Sequence, residues 1–364
     1  MESFRGAALN PMGYPHYTDH LAAVCVMMDI PLLFTDVEHF EQARRHYPHL
    51  RAELSAWQEF TPESIVPRYN TLFVSDMWSQ QQIQGRFPVN TLPDGEHLRV
   101  VHCPHGFSDK GFWFGECVDQ DITLVYGQNM LDLIAHQRPE LQWDRYIVTG
   151  NLRYTYYKQH MDRFNAIVEK EVLAQFAQKQ PTLLYAPTWR DAEGSSSFFT
   201  AAQQILAQLP PSYNLIVKLH PNLEHDPDFM LDVYQVMSQH EERPNVHFLT
   251  EFPLIYPLLA ACSAYIGDHS AVGYDFLAFN RPLFFLNHLK RDTLNDRATY
   301  LFRCGKVLGP DQFEQLFECI DHSLSGTTDP YSEIRQEMYH YSFAAERPFS
   351  ELRTLVTEAC LQQP

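Results

Sequence analysis

Short apolar runs alternate with stretches of helical composition along this sequence, and this alternation constrains the fold more than any other feature. Ten runs have the length and composition of strands. They are Pro31–Thr35, Thr71–Ser75, Leu98–Cys103, Ile122–Tyr126 and Arg145–Thr149, then Thr182–Ala186, Asn214–Leu219, Val246–Leu249, Ala264–Gly267 and Pro282–Leu286. Most are continuously apolar, which is typical of strands buried on both faces of a parallel sheet.

Stretches with helical composition separate these strands. They are Thr18–Met28, Glu38–Tyr47, Gln128–His136, Phe198–Leu209, Pro227–Gln239 and Ala271–Phe279. Repeated alternation of strand and helix favours doubly wound sheets with right-handed crossovers. The pattern therefore predicts an α/β protein built from Rossmann-like sheets.

The length and one interruption predict two domains. A chain of 364 residues is too long for one ordinary core. The strand series stops between Leu152 and Gln180, which reads as one long charged helical stretch. We predict an N-terminal domain over residues 1–155, a second domain over 156–340, and a C-terminal helix over 341–364 that packs back on the first domain. The run Gly194–Ser197 predicts a mobile loop.

Charge and cysteine content exclude some partners. The sequence has 27 basic and 45 acidic residues, so its net charge is −18. A chain this acidic, without a long Lys/Arg run, is expected to bind no nucleic acid and to make at most peripheral contact with a membrane. Seven scattered cysteines without a CxxC pair, and an N-terminus without a signal-peptide core, predict a cytoplasmic protein with reduced thiols. Any peripheral contact would be at the inner face of the membrane.

The first candidate motif follows the predicted strand Leu98–Cys103. It contains His105, Gly106 and Lys110. An imidazole can take a proton near neutral pH, glycine permits a tight turn beside a ligand, and lysine can pair with phosphate. The alternative is a loop histidine that only bonds to the backbone.

Two further motifs follow strands in the second half. Thr188 and Arg190 follow Thr182–Ala186 and offer a hydroxyl and a planar set of donors for phosphate. His220 precedes a proline, which favours extended backbone and fixes the direction of the ring. Such a histidine can donate to developing negative charge on a phosphate. Structural turns at the strand ends are the alternative for both.

The fourth motif runs from Asp268 to Asp275. It includes His269, Ser270 and Ala271 at the predicted start of a helix. Asp268 or Ser270 can cap this helix, and its unpaired N–H groups can bind a pyrophosphate. An ordinary N-cap is the alternative.

A histidine-containing cluster lies near the N-terminus. His16, Asp19 and His20 follow Asn10–Tyr14 and are expected in a loop after a first short strand, facing the cleft between the domains. They could bind an acceptor or assist proton transfer. Capping of the next helix by Thr18 or Asp19 is equally favoured.

Together these motifs resemble the CDP-glycerol glycerophosphotransferase family, whose members build poly(glycerol phosphate) chains of the teichoic-acid type. The resembling elements span roughly residues 100–310. They are His105-Gly106 with Lys110, Gly150–Arg153, Ala186–Arg190, Leu219–Pro221, Asp268–Ala271 with Asp275-Phe276, and Arg303–Gly305 followed by Gly309-Pro310. The resemblance implies a GT-B fold, with two Rossmann-like domains facing each other across a cleft.

The resemblance also implies roles for the motif residues. His105 would activate the acceptor hydroxyl as a base, and His220 would contact the phosphate being transferred. Ser270 and neighbouring amides would bind the pyrophosphate of a CDP-linked donor, with Arg190 and Arg303 as phosphate contacts. The other donor-side candidates are Gly106, Lys110, Thr188, Asp268, His269, Ala271 and Asp275. The CDP-linked donor is a substrate, the acceptor is a hydroxyl of unknown identity, and neither cofactor nor metal is expected.

Two other functions remain open from the sequence. The first is a GT-B glycosyltransferase or a UDP-sugar epimerase. The second is a nucleotide-binding protein without catalysis, because Asp268–Ala271 reads DHSA where the family has DYSS, and Gly150–Arg153 lacks the acid of its family counterpart.

Overall fold

The chain divides into two compact units. The computed structural model describes residues 3–10, 14–75, 98–110, 120–140, 143–225 and 227–362. Unit 1 comprises Met1–Phe107, Gly111–Gln159 and Tyr341–Pro364, and unit 2 comprises Ser108–Lys110 and His160–His340. The sequence prediction set the main boundary at 155/156, and it did not anticipate that residues 108–110 belong to the other unit.

The described part of unit 1 contains a parallel sheet of seven strands in the order β3-β2-β1-β4-β5-β6-β7. The strands are β1 (Gly6–Asn10), β2 (Leu32–Phe34), β3 (Ala52–Leu54), β4 (Thr71–Val74), β5 (Arg99–His102), β6 (Ile122–Val125) and β7 (Tyr146–Val148). The strand order reverses at β1 and β4. Ligands of such sheets bind beyond the carboxyl ends of the strands at this switch point.

The helices of unit 1 cover its parallel sheet. They are Pro15–Met28, Val37–His46, Pro62–Ile65, Gln128–Gln137, Leu152–Gln159 and Phe349–Leu361, with a 3-10 turn at Trp57–Glu59. The C-terminal helix packs within this unit, because Leu352 and Val356 are buried and Arg353 donates to the Met27 carbonyl at 2.7 Å. Helix Ser332–Phe343 precedes it and continues from unit 2 into unit 1.

The described part of unit 2 contains a parallel sheet of six strands in the order β10-β9-β8-β11-β12-β13. The strands are β8 (Thr182–Ala186), β9 (Asn214–Lys218), β10 (Val246–Leu249), β11 (Ala264–Gly267), β12 (Leu283–Leu286) and β13 (Lys306–Leu308). Here the order reverses at β8 and β11. Both sheets are therefore doubly wound, as the strand–helix alternation predicted.

The helices of unit 2 are short, and several are followed or replaced by 3-10 turns. The α-helices are Met161–Glu171, Phe198–Gln208, Pro221–His225, Pro227–Ser238, Ile255–Ala261, Ala271–Phe276 and Leu316–Ser325. The 3-10 segments are Leu173–Gln175, Leu277–Phe279, Arg297–Cys304 and Pro310–Gln315.

The sheet cores explain why apolar patterning located most strands. Leu183, Leu215 and Val217 on neighbouring strands of unit 2 have no exposed surface, and Phe198 packs in the same cluster. Burial of each such side chain contributes about 1.5–3 kcal/mol. Two strands escaped prediction because they lack a continuous apolar run: β3 reads AEL and β13 reads KVL. The first short strand was expected without bounds, and it is β1, which reads GAALN.

Two expectations about local structure were wrong. Leu152–Gln180 is not one helix, because His160 has φ −132° and ψ 28° and separates helix Leu152–Gln159 from helix Met161–Glu171. The boundary between the units lies at this break. The serines of Gly194–Ser197 are buried and hydrogen-bonded, so that run is an ordered loop.

Within the described ranges, no helix combines the length and the apolar composition needed to cross a bilayer.

We expect Gly305→Ala to destabilise the fold. An added Cβ at Gly305 would lie 2.2 Å from the carbonyl oxygen of Leu283 in β12, and a strand backbone cannot move aside cheaply. Overpacking of this kind costs about 1–3 kcal/mol. Urea unfolding measures the loss. The matched control is Gly309→Ala, whose Cβ would meet the movable Asp311 side chain at 3.0 Å. Equal stability of the two variants would contradict this account.

Candidate active site

His105 lies just beyond β5, and one hydrogen bond fixes its tautomer. Its Nδ1 is 2.8 Å from the carbonyl oxygen of Ser75, the residue that follows β4. A carbonyl only accepts, so in the neutral ring Nδ1 carries the proton and Nε2 is the basic nitrogen. The ring is exposed. The geometry is compatible with the role of proton acceptor, which stays a prediction from the residue type.

The hydroxyl of Tyr126 holds the backbone on both sides of His105. It donates to the carbonyl oxygen of Pro104 at 2.6 Å and accepts from the N–H of Gly106 at 3.0 Å. Gly106 has φ +121°, a conformation that favours glycine. The predicted turn at Gly106 is thus present, although its N–H is bonded to Tyr126. The sequence did not identify Tyr126, which ends the apolar run of β6 and looked like a strand residue.

The N-terminal histidines lie in the same cluster as His105. The ring centroid of His105 is 4.7 Å from that of Tyr17 and 6.0 Å from that of His16. His20 is buried, and its Nδ1 is 3.2 Å from the Tyr126 hydroxyl. The helix Pro15–Met28 thus brings His16 and His20 to His105 within unit 1. The helix begins at Pro15 and not near Thr18, so His16 lies on the helix where the sequence expected a loop.

Burial keeps His20 neutral. Loss of solvent lowers the pKa of His20 well below its ordinary value, and the charges of Arg153, His105 and His16 lower it further. A neutral ring with the proton on Nδ1 donates to the Tyr126 hydroxyl, which donates onward to Pro104. His20 therefore supports the loop that carries His105.

Asp19 has buried protein partners. Its carboxylate accepts from the Tyr47 hydroxyl at 2.8 Å and pairs with Arg153 at 3.3 Å. Arg153 belongs to the predicted Gly150–Arg153 element. These contacts indicate a structural role for Asp19, whereas the sequence analysis assigned it, with His16 and His20, to binding of the acceptor.

In unit 2, Asp268 orders the loop that follows β8. Its carboxylate has no exposed surface and accepts from the N–H of Thr188 at 2.9 Å and of Ser197 at 2.7 Å. Two charge-assisted bonds thereby fix both ends of this loop. Asp268 is not the cap of the next helix. Ser270 is the cap, and its hydroxyl accepts from the N–H of Val272 at 3.4 Å.

Lys110 joins unit 2 through the same loop. Its ammonium group donates to the Thr188 hydroxyl at 2.8 Å and pairs with Asp191 at 3.1 Å, and both charged side chains are largely buried. Although burial opposes ionisation, Lys110 and the N–H of Ser195 hold the pKa of Asp191 below its ordinary value. The sequence predicted that the ammonium group of Lys110 pairs with a phosphate, whereas in the structure it pairs with the carboxylate of Asp191.

Asp109 is a buried residue that the sequence analysis did not single out. It accepts from the Tyr274 hydroxyl at 2.6 Å, from Arg297 at 2.8 Å and from the N–H of Leu301 at 2.9 Å. Burial raises the pKa of Asp109, and these three donors oppose the rise. The partners lie 165–192 residues away in the chain, so no local pattern could have revealed them.

His269 and Asp275 lie on either side of Ser270 and are both buried. Nδ1 of His269 is 2.9 Å from the carbonyl oxygen of Ala298, and Asp275 accepts from the Tyr256 hydroxyl at 2.8 Å. Ala271 begins the helix and is partly exposed. The carboxylate of Asp275 therefore serves the packing of unit 2.

His220 has the opposite tautomer from His105. The N–H of Asn222 donates to Nδ1 of His220 at 3.1 Å. In the neutral ring Nε2 then carries the proton and is a donor. The ring lies 6.3 Å from that of Trp189, next to the loop after β8. This geometry suits the predicted donation to a phosphate oxygen.

The two predicted phosphate-binding arginines pack against aromatic rings. The guanidinium of Arg190 lies 5.4 Å from the Phe199 ring and 5.3 Å from the Phe229 ring. Arg303 lies 4.1 Å from the Tyr300 ring and donates to the carbonyl oxygen of Leu294 at 2.8 Å. Such stacking fixes a guanidinium while leaving its charge in place. Within the described residues, no three His, Cys, Asp or Glu side chains form a metal site.

Comparison with solved structures shows the fold. A structure of the wall teichoic acid polymerase TagF superposes with a TM-score of 0.64 at 13% identity, covering 98% of this chain and 88% of that one. The UDP-GlcNAc 2-epimerase from Neisseria meningitidis gives a TM-score of 0.57 at 13% identity and covers 98% and 99% of the two chains. The fold is GT-B, as predicted.

Sequence comparison identifies relatives over part of the chain. The teichoic acid glycerol-phosphate primase of Bacillus subtilis is 29% identical over 114 residues, which are 30% of this chain and 26% of the relative. The teichoic acid ribitol-phosphate primase of Bacillus spizizenii is 27% identical over 172 residues, or 43% and 38% of the two chains. The matched part thus spans well under half the length of each relative.

A family model matches nearly half of the chain. Its description is CDP-Glycerol:Poly(glycerophosphate) glycerophosphotransferase, and it matches residues 121–301. This segment contains the loop after β8, His220 and the Asp268–Asp275 element, which are three of the elements that carried the resemblance. Residues 121–301 thus match the CDP-glycerol glycerophosphotransferase family.

Proposed function

We propose that this chain is a transferase that moves a polyol phosphate, with glycerol phosphate as the first candidate, from a CDP-linked donor to a hydroxyl acceptor. The acceptor belongs to a surface polymer or glycoconjugate. The observation that carries the proposal is the family match over residues 121–301. It is supported by two histidines whose hydrogen bonds select complementary tautomers.

The chemistry is a displacement at phosphorus. The acceptor oxygen attacks the phosphorus that carries the polyol, and the bond from that phosphorus to the bridging oxygen breaks, so that CMP leaves with the electron pair. Nε2 of His105 takes the acceptor proton. The Nε2–H of His220 donates to an oxygen of the phosphate as negative charge develops. Correctly placed groups of these kinds act as a general base and as electrostatic stabilisation.

Unit 2 supplies the donor site in this proposal. The loops after β8 and β11 adjoin its switch point, where nucleotides bind in doubly wound sheets. Thr188, Ser270 and Ala271 lie on these loops and contact the diphosphate, with Arg190 and Arg303 contributing charge. Lys110, Asp268 and Asp275 act by holding this loop structure, because their charged groups already have protein partners.

The setting of the reaction also belongs to the proposal. The protein works in the cytoplasm, and its acceptor reaches it at the inner face of the membrane through peripheral contact. The strongly acidic composition, with a net charge of −18, disfavours nucleic acid as a partner. The reaction is proposed to need neither a cofactor nor a metal, and turnover in excess EDTA tests the metal.

Replacement of His105 by asparagine is expected to lower kcat. The amide N–H of asparagine can still reach the Ser75 carbonyl, but the side chain has no basic nitrogen. General-base catalysis contributes about 10²–10⁴-fold, so CMP release from CDP-glycerol with an oligo(glycerol phosphate) acceptor should fall by at least about 100-fold. Donor affinity should be unchanged. The control is His322→Asn, an exposed histidine on helix Leu316–Ser325. Undiminished turnover in the His105 variant would remove the proposed base.

Replacement of Tyr126 by phenylalanine is expected to impair His105 without loss of donor binding. The variant loses the bonds to Pro104, Gly106 and His20 but keeps the ring. We expect about a tenfold lower kcat, because small misplacement of a catalytic group is costly. The control is Tyr341→Phe, which removes a surface bond to Asp132 in the same unit. Equal kcat in both variants, at equal melting temperature, would refute the positioning role.

Thermal shift with nucleotides tests the donor class. CDP and CMP should raise the melting temperature, and a ligand at 100 times its Kd adds about 2.7 kcal/mol. Stabilisation by UDP alone would instead favour the glycosyltransferase or epimerase function of other GT-B proteins. Stabilisation by CDP without CMP release in any assay would favour a non-catalytic nucleotide-binding protein.

A further inference from the structure

His269 has one ring nitrogen that none of the described residues uses. The side chain is only 4% exposed. Its Nδ1 is 2.9 Å from the Ala298 carbonyl oxygen and must carry the proton in the neutral ring. Among the described residues, Nε2 has no hydrogen-bond partner. Since Nε2 is not among the fully buried polar atoms that lack a partner, this end of the ring reaches solvent-accessible space, where a ligand can meet it.

The ring is held in one orientation. Its centroid lies 4.8 Å from that of Phe302, and Phe302 stacks on Phe285 at 4.8 Å and 22°. Ala298 and Phe302 both belong to the segment Arg297–Cys304. The direction of Nε2 is therefore set by packing as well as by the bond to Ala298.

Asp109 fixes the segment that holds His269. Its carboxylate binds Arg297 and the N–H of Leu301, which lie beside Ala298 and Phe302 in the chain. Since the segment supplies both the hydrogen bond and the ring contact of His269, Asp109 acts on His269 through it. Asp109 is thus a positioning residue, and its position next to Lys110 links it to the loop after β8.

His269 is an acceptor at neutral pH. Burial lowers the pKa of His269 to about 4, Asp268 opposes this shift, and Arg291 and Lys110 add to it. A neutral Nε2 presents a lone pair. Such a nitrogen repels phosphate oxygens and pairs with a group that donates a hydrogen bond.

We propose that Nε2 of His269 accepts a hydrogen bond from a hydroxyl group of the donor, on the polyol or on the ribose, and that His269 is a specificity-determining residue. The inference rests on the proposed function, because that function places the donor at the loop that follows β11. The inference extends the proposed function by naming the group of the donor that His269 recognises. CDP-linked donors carry hydroxyls at both ends, and a site with a dedicated acceptor discriminates against analogues that lack the matching hydroxyl.

Two analogues separate the two sources of the hydroxyl. CDP-propanol lacks both free hydroxyls of the glycerol, and the 2′,3′-dideoxyribose form of CDP-glycerol lacks those of the ribose. Calorimetric titration should show that the wild-type protein binds CDP-glycerol about tenfold more tightly than one of them. The analogue that binds weakly identifies the hydroxyl that His269 contacts.

A matched pair of variants separates recognition from structure. In His269→Asn the amide N–H can still donate to Ala298, but nothing replaces Nε2. In His269→Gln the longer side chain can place an oxygen near the position of Nε2. We expect His269→Asn to bind CDP-glycerol and the weaker analogue equally, and His269→Gln to recover part of the preference. CDP itself should bind His269→Asn as it binds the wild type if the hydroxyl belongs to the polyol, and more weakly if it belongs to the ribose.

A measurement on the wild-type protein tests the proposal without depending on the folding of any variant. In protein labelled with ¹⁵N-histidine, the Nε2 resonance of His269 should shift on addition of CDP-glycerol and stay in place with the weaker analogue. The proposal is overturned if the wild-type protein binds all three donors equally, or if His269→Asn keeps the full preference. Failure to bind CDP at all would instead refute the proposed function, and this inference with it.

Discussion

Parallel pairing of buried strands is the constraint on which the rest of this structure depends. A strand inside a parallel sheet bonds on both sides and packs on both faces, so its polar residues are confined to the ends. The strand order reverses at β1 and β4 in unit 1 and at β8 and β11 in unit 2, and several candidate site residues follow the carboxyl ends of these strands or of their neighbours. His105 follows β5, Thr188 follows β8 and Ser270 follows β11. Residues far apart in sequence are neighbours within a unit because their strands are neighbours.

Buried carboxylates then give these loops fixed shapes. Asp268 binds the two ends of the loop after β8, and Asp109 binds the segment beside His269. A buried charge is tolerated only when it is paired and hydrogen-bonded, so each of these acids imposes a set of partners on its surroundings. Asp19 with Arg153 and Asp191 with Lys110 follow the same rule. The acids near the candidate site thus order the protein.

Hydrogen bonds divide the histidines by role. His105 gives its Nδ1 proton to a carbonyl and keeps a basic Nε2, whereas His220 accepts at Nδ1 and keeps a donor at Nε2. His269 shares the tautomer of His105, but it is buried and lies against Phe302. Residue type alone cannot make these distinctions, because the same imidazole serves as base, donor or acceptor according to the atom that binds Nδ1.

The sequence by itself determined the α/β class, ten of the strands in approximate extent, and the positions of His105, Thr188, His220 and Ser270 at strand ends. These features are local, because apolar runs and strand-end motifs follow from nearest neighbours along the chain. Only the tertiary structure decided that Tyr126 brackets His105, that Lys110 pairs with Asp191, and that Asp109 belongs to unit 2. Each of these depends on which distant segments the sheet order brings together. That order is set by packing over the whole unit, so no short stretch of sequence contains it.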